Sequence, residues 1–415
     1  MQKKRFLVVI YEKHLLNLIL LSTTKSNVSV LSMKKIRVFS KSFNFSISDY
    51  ILQTLTLWGG EIGTKLTKEM LPIVPQIGKD GVSDIFIFTS EKDRSLKDIT
   101  KNVFHISNDI TQKGAVKATK LVNFKNLLSI CLDYDSTNVI RYTKGKRGKV
   151  KVVSERKDFK IKEYLGNSNF NEVLNRFKSL IHPNESMNLL ANISDIPLLN
   201  HKNIEEVLLE YLLSNTRLEL FSTCKKLDLS GFGEGEMEEN LIILSGERFR
   251  MVNNVPLFIL SMLSSFNLNG NFKVFIDKYG FFDSLQKCEK VTLKNEVYKE
   301  IMLEFWGRVT NICSNRRSKI DTEVADVDVI DGSSERQVIP MYGRILNFIF
   351  LEKGNISIQT KEGFYLKGKN RDFEAKNISG NFVIDSREKP ISEIFEKLSN
   401  EVDFVKGWLT GISAI

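Results

Sequence analysis

A repeated order of elements constrains this sequence more than any other feature: three strand-like segments and then a helix-like segment, near Phe6 and again near Leu127. The strand-like segments are rich in β-branched and apolar residues and are separated by polar turns. They are Phe6–Ile10, Leu15–Ser22 and Val28–Ser32 with Ile36–Phe39 in the first copy, and Leu127–Asp133, Asn138–Tyr142 and Val150–Val153 in the second. The helix-like segments end near Trp58 and cover Asn169–Ile181. The repeat predicts either a duplicated α/β fold or an ordinary α/β domain with unrelated halves.

Further elements follow from the spacing of apolar residues. Helical spacing predicts helices over Ser95–Asn108, Ile204–Leu213, Val255–Ser265, Asn295–Asn311 and Ile391–Leu398. Short apolar runs predict strands at Asp84–Thr89, Leu241–Leu244 and Phe272–Asp277.

The acidic, small-residue stretch Asp321–Ser334 predicts a domain boundary. After it, short strands with turns every eight to ten residues suggest a small β-barrel or sandwich. Trp408 should be buried at the edge of this β module or against the preceding part of the chain. The predicted domains are therefore 1–126, 127–325 and 335–415.

Bulk composition narrows the class of protein. A chain of 415 residues with 42% hydrophobic and 27% charged residues is globular, with two or three domains. The four cysteines lie far apart without a paired motif or a histidine cluster, so we expect no metal site and a reducing, cytoplasmic location. No run reaches the ~18 apolar residues of a membrane span. The net charge of +10 permits an acidic partner without requiring one.

The duplicated pattern resembles the actin/Hsp70/sugar-kinase ATPase superfamily (ASKHA). Within it, "ENLIILSGERFRMVNNVPLFILSMLSSFNLNGNFKVFIDKYGFFDSL" and the ending "SGNFVIDSREKPI…VKGWLTGI" are similar to the glutamate-mutase-associated MutL (GlmL) family. A PilM/FtsA-like scaffold is the second candidate. The resemblance implies a two-lobed, duplicated ribonuclease H-like fold with a small C-terminal β domain. It also implies two glycine-rich hairpins with an Asp that bind phosphate and Mg²⁺, and a Gly-Gly turn near the adenosine.

The predicted nucleotide site departs from that family pattern at several positions. Its residues are Ile10, Glu12, Asp133, Asp135, Ser136, Gly246 and Glu247. Asp133 and Gly246 are kept, whereas Ile10 takes the place of the first Asp. Carboxylates replace glycines at Glu12, Asp135 and Glu247 and would repel phosphate. We therefore expect no catalytic residues, no cofactor and no ATP hydrolysis, with weak ATPase activity and bound Mg-ATP as the alternative.

Two other segments carry charge or glycine. The turn residues Lys144, Lys146, Arg147 and Lys149 form a candidate anion-binding patch. A solvated hairpin face is the reading we favour, because Tyr142 is the only aromatic residue nearby. The loop Ser230–Gly235 lacks the Lys-Ser/Thr of a phosphate loop and predicts a surface loop.

Three functions fit these observations. The first is a degenerate, non-catalytic scaffold or chaperone-like factor that binds a protein partner or self-associates, and this is the one we expect. The second is a divergent, mutase-associated ATPase. The third is a nucleic-acid or anionic-membrane binder acting through the basic turn, which we do not expect.

Overall fold

In a computed structural model, the described residues are 4–12, 15–23, 28–37, 82–90, 96–107, 110–119, 122–133, 136–145, 148–158, parts of 211–249, 255–266, 268, 270–288, 303–315, 318–366, 372–387 and 407–412. The helices predicted to end near Trp58 and to cover 169–181 and 391–398 lie outside this set, as does most of 204–213. By internal contacts the chain divides into two compact units, Met1–Asn123 with Asp277–Glu304, and Phe124–Ile276 with Phe305–Ile415.

The first sheet has five strands and belongs to the first unit. They are β1 (Lys4–Glu12), β2 (Leu15–Thr23), β3 (Val28–Arg37), β4 (Val82–Thr89) and β5 (Asn102–His105). The order across the sheet is β3-β2-β1-β4-β5. The pairs β1–β2 and β2–β3 are antiparallel, whereas β1–β4 and β4–β5 are parallel.

The second unit repeats this arrangement. Its first five strands are β6 (Asn126–Leu132), β7 (Ser136–Lys144), β8 (Val150–Asp158), β9 (Asn240–Ser245) and β10 (Asn271–Ile276). They lie in the order β8-β7-β6-β9-β10, with two antiparallel pairs followed by two parallel pairs. The strands that contain Phe6 and Leu127 therefore begin equivalent sheets, which confirms the predicted duplication. The protein has the α/β, duplicated ribonuclease H-like fold of the actin/Hsp70 type.

The C-terminal strands continue the second sheet. They are β11 (Glu304–Ser314), β12 (Ala325–Asp331), β13 (Ser334–Val338), β14 (Ile345–Thr360), β15 (Phe364–Leu366) and β16 (Asp372–Asp385). The order β13-β12-β14-β16-β11-β10 joins them to the first five, while β15 pairs with β11. They also enclose an apolar cluster of their own, which includes Ile312, Val327 and Phe348. This β region contains β11 and β12, which precede residue 335, and the predicted boundary stretch is occupied by β12. The three-domain division stays a prediction.

Two predicted helices are wrong in part. Within Ser95–Asn108 only α1 (Leu96–Ile99) is helical, and the chain then forms β5. Thr100 Oγ1 donates to Ile85 O at 2.8 Å, which aligns this segment with β4. Of the predicted helix Asn295–Asn311, residues 304–311 belong to β11. Val309 and Thr310 are both fully buried, so this strand is covered on both faces and lacks the alternation that identifies a strand.

Three further helices are described: α2 (Gln112–Thr119), α3 (Val255–Phe266) and α4 (Phe281–Gln286). Helix α3 packs in the main apolar cluster of the second unit, together with Trp408 and Ile412. The Trp408 side chain is 1% exposed, and its Nε1 donates to Gly343 O at 2.9 Å. The predicted burial of Trp408 is therefore confirmed.

In the part of the chain that the structure describes, no helix combines the length and the apolar character needed to cross a membrane.

Candidate nucleotide site

The two units carry equivalent hairpins at the carboxyl ends of their first strands. Glu12 pairs with Leu15 across β1 and β2, with two residues between them. Asp133 N–H donates to Ser136 O at 2.9 Å, again with two residues between. This register makes Glu12 the counterpart of Asp133. The sequence-based assignment had placed Ile10 at that position.

Ile10 lies inside the first unit and cannot contribute to a ligand site. Its side chain is fully buried, and it pairs with Asn17 on β2 and Phe88 on β4. Ile10 and Glu12 lie on the same side of β1 because strand side chains alternate. Pattern alone therefore could not tell which of the two corresponds to Asp133. Two other predicted site residues, Asp135 and Glu247, lie outside the described residues.

The second hairpin presents a buried polar face. Asp133 is 7% exposed, and its Oδ1 accepts a bond of 3.5 Å from the Cys131 thiol. Ser136 and Asn138 follow on β7 and are also buried, at 1% and 4% exposure. Asn138 is paired with Cys131 across the strands, so these four side chains share one face.

A buried arginine holds this hairpin from within the second unit. Arg217 is 1% exposed and comes from the helical residues 217–221. Its NH2 group donates to Asp133 O and Ser136 O, each at 2.7 Å, and its Nε donates to Thr137 Oγ1 at 3.1 Å. Charge-assisted bonds from one planar guanidinium fix the spacing of both carbonyls. Sequence reasoning missed Arg217, and the one available signal was a cation within the apolar run around Leu218 and Phe221.

Gly246 follows β9 and approaches the end of β6. Its φ is +111°, and a Cβ at this position would overlap the backbone of Leu132. Only glycine fits both the backbone conformation and the contact. The structure thus brings Gly246 beside Leu132, the residue that precedes Asp133.

The remaining sequence candidates lie away from this hairpin. Lys144 and Lys149 are exposed at the far end of β7, and Lys146 and Arg147 lie outside the described residues. Within the predicted surface loop Ser230–Gly235, Phe232 and Gly233 are buried, whereas Glu234 is exposed. Phe232 stacks on Phe272 with ring centroids 5.3 Å apart, and Gly233 O accepts from Asn271 N–H.

Comparisons with known proteins are limited to structure. No protein-family model matches the sequence, and no curated protein matches it. A solved PPX-GPPA enzyme of Aquifex aeolicus is 10% identical, with 59% of this chain and 68% of that chain covered and a TM-score of 0.26. An exopolyphosphatase of Cytophaga hutchinsonii is 12% identical, with 58% and 66% covered and a TM-score of 0.28.

A third solved structure, a non-polymerisable mutant of pCBH ParM, is 10% identical, with 68% of this chain and 98% of that chain covered and a TM-score of 0.31. Similarities at this level say nothing about activity. The fold assignment rests on the strand order of the two sheets.

The turn residues of both hairpins differ from the glycine-rich pattern that the resemblance implies. The two residues between the paired positions are Lys13-His14 in the first hairpin and Tyr134-Asp135 in the second, so neither contains glycine. A backbone cradle for phosphate needs the close approach that glycine allows. Carboxylates of the kind that bind Mg²⁺ are present at Glu12 and Asp133, so the departure from that pattern lies in the glycines rather than in the acids.

Proposed function

We propose that this protein is a non-catalytic member of the actin/Hsp70-type fold that acts as a protein-binding scaffold. The observation that carries the proposal is the pair of equivalent hairpins, both without glycine. A pilus or cell-division scaffold of the PilM/FtsA type falls within this proposal.

The second hairpin adds support, because its conformation is already held by the protein itself. Arg217 donates hydrogen bonds to the carbonyl oxygens of Asp133 and Ser136. Moving this turn to receive a ligand would break charge-assisted bonds inside the core, each worth about 1.5–3 kcal/mol.

Calorimetric titration with Mg-ATP tests the proposal. The wild-type protein should show no saturable binding and no phosphate release at millimolar ATP. A double variant, His14→Gly with Asp135→Gly, should regain weak binding if the missing glycines are the cause. Wild-type binding tighter than about 100 μM, equivalent to over 5 kcal/mol, would refute the scaffold assignment.

A divergent ATPase of the mutase-associated MutL type is the second candidate. The observation in its favour is Gly246, which keeps a close backbone approach next to Asp133. This candidate expects saturable Mg-ATP binding by the wild type, with loss of that binding in Asp133→Asn. The same titration therefore separates the two functions.

A further inference from the structure

The outer edge of β8 and the three lysines beside it form a surface that we call the basic edge. Strand β8 ends the order of the second sheet, and no described strand lies outside it. Lys144, Lys149 and Lys151 are exposed around the turn that joins β7 to β8. An unpaired edge strand offers backbone N–H and C=O groups to another chain.

The register identifies which backbone groups of β8 point outward. Gly145 N–H donates to Lys149 O at 2.8 Å, and Lys144 pairs with Val150 beyond it. Hydrogen-bonded pairs alternate in an antiparallel ladder, so Lys151 and every second residue after it bond to β7. The N–H and C=O groups of Val152 and Ser154 therefore face away from the sheet.

Charge is distributed unevenly along this edge. Near the far end of β8, Glu155 pairs with Lys226 at 3.8 Å and Arg156 Nε pairs with Asp158 at 3.1 Å. Around the turn, by contrast, Lys144, Lys149 and Lys151 make no ion pair with any described residue. The turn end of the edge is thus a net cationic surface beside backbone groups that pair with no described strand.

We propose that the basic edge binds an extended acidic segment of a partner protein, which adds to the sheet as a further strand. Main-chain bonds to the edge would supply affinity, and the three lysines would select acidic side chains on the added strand. The inference deepens the proposed scaffold function and rests on its protein-binding part. The basic edge is distant from the hairpin that contains Asp133, because β7 extends over eight residue steps, or about 26 Å, between Ser136 and Lys144.

The probe is an array of octapeptides with Glu or Asp at alternate positions and Val, Ile, Thr or Tyr between them. Binding of the best member is then measured by fluorescence anisotropy with the full chain. We expect saturable binding that weakens as salt is raised. Failure of every peptide to bind would refute the proposal, whatever the Mg-ATP titration shows.

Two pairs of variants separate strand addition from simple charge attraction. Ser154→Pro removes an outward N–H without removing a bond to β7 and should weaken binding about tenfold, whereas Ser154→Ala keeps the N–H and should not. Lys144→Glu with Lys149→Glu and Lys151→Glu should weaken binding about tenfold or more. The matched control reverses three other exposed lysines, Lys113, Lys319 and Lys353, with the same change in net charge.

Other occupants of the basic edge predict different results. Peptide binding that depends on the lysines but not on Ser154→Pro would refute strand addition. Tighter, lysine-dependent binding of a single-stranded oligonucleotide or of anionic vesicles would assign the surface to those partners and refute an acidic protein segment. A dimer of the wild type that Ser154→Pro dissociates would assign the edge to a second copy of the chain.

Discussion

At the scale of single residues, buried polar side chains of the second unit form a connected network. Tyr211 OH lies 3.0 Å from Ser264 Oγ, which also accepts from Arg387 NH1 at 2.8 Å. Arg387 in turn makes a two-point ion pair with Asp385 and lies 4.8 Å from the Trp408 ring centre. Each charge is paired and each hydroxyl is bonded, which is what allows these groups to be buried.

Burial raises the pKa of Tyr211 to about 12, although the positive charge of Arg387 opposes the shift. The unfolded chain loses this proton near pH 10, whereas the folded protein keeps it up to about pH 12. The contribution of protonated Tyr211 to the free energy of unfolding is therefore complete below pH 10 and is lost as the pH rises through about 12. At pH 11 this ionisation lowers the free energy of unfolding by about 1 kcal/mol. We expect the difference in unfolding free energy between wild type and Tyr211→Phe to narrow by that amount between pH 9 and pH 11 in urea titrations. Parallel curves would contradict the shift.

At the scale of elements, the β6–β7 hairpin depends on a side chain from elsewhere in the unit. Arg217 makes three hydrogen bonds to it, and two of its acceptors are backbone carbonyls that flank the turn. Because this turn contains no glycine, other contacts must stabilise its conformation, and here a buried guanidinium provides them. The contact also explains why a cation is tolerated among apolar residues of the helical segment.

Replacing Arg217 should be costly because Asp133 O would lose a charged donor inside the core and Thr137 Oγ1 would lose a hydrogen bond. We expect Arg217→Met to lower the free energy of unfolding by about 3 kcal/mol or more in guanidinium titrations. Arg217→Lys should also destabilise, since an ammonium cannot reproduce the fork. The control is Arg344→Met, because Arg344 forms an exposed ion pair with Asp321 and should cost under about 1 kcal/mol. Equal losses in both Met variants would contradict the structural role.

At the scale of the whole molecule, the C-terminal β region is built into the second sheet. Strand β14 pairs with β12, and β16 pairs with β11. Asn347 Nδ2 also donates to Ile412 O at 2.8 Å, which ties β14 to the helical residues 407–412. The region therefore depends on strands that precede the predicted boundary at residue 335.

A fragment of residues 335–415 should not fold alone. It lacks β11 and β12, and it separates Trp408 from helix α3 and the rest of the main apolar cluster. We expect its circular dichroism and amide NMR dispersion to be those of an unfolded chain. Residues 124–415 contain the whole second unit and should fold, which makes them the control. A cooperatively folded 335–415 fragment would instead support the domain boundary predicted from sequence.

How much could be predicted differs between the fold and the candidate site. The strands of both repeats were predicted close to their observed positions, because strands that are buried on both faces form short apolar runs. Strand β8 continues to Asp158, beyond its predicted end at Val153. The equivalence of Glu12 and Asp133 in the two repeats was not predicted. Ile10 and Glu12 lie on the same side of β1, and only the hairpin register shows which of them corresponds to Asp133. Arg217 lies over eighty residues from the turn it holds, so no local pattern indicates it.

The sequence by itself determined the repeated order of elements along the chain, the burial of Trp408 and the absence of glycine from both hairpins. Each of these depends on local composition or spacing. Tertiary structure alone decided that β5 and β11 are strands, because pairing with β4 and burial on both faces overrode a helical spacing of apolar residues. It also decided that β11–β16 extend the second sheet and that β8 is left at its edge. Sheet order and edge exposure arise from contacts between distant segments, and local preferences do not specify those contacts.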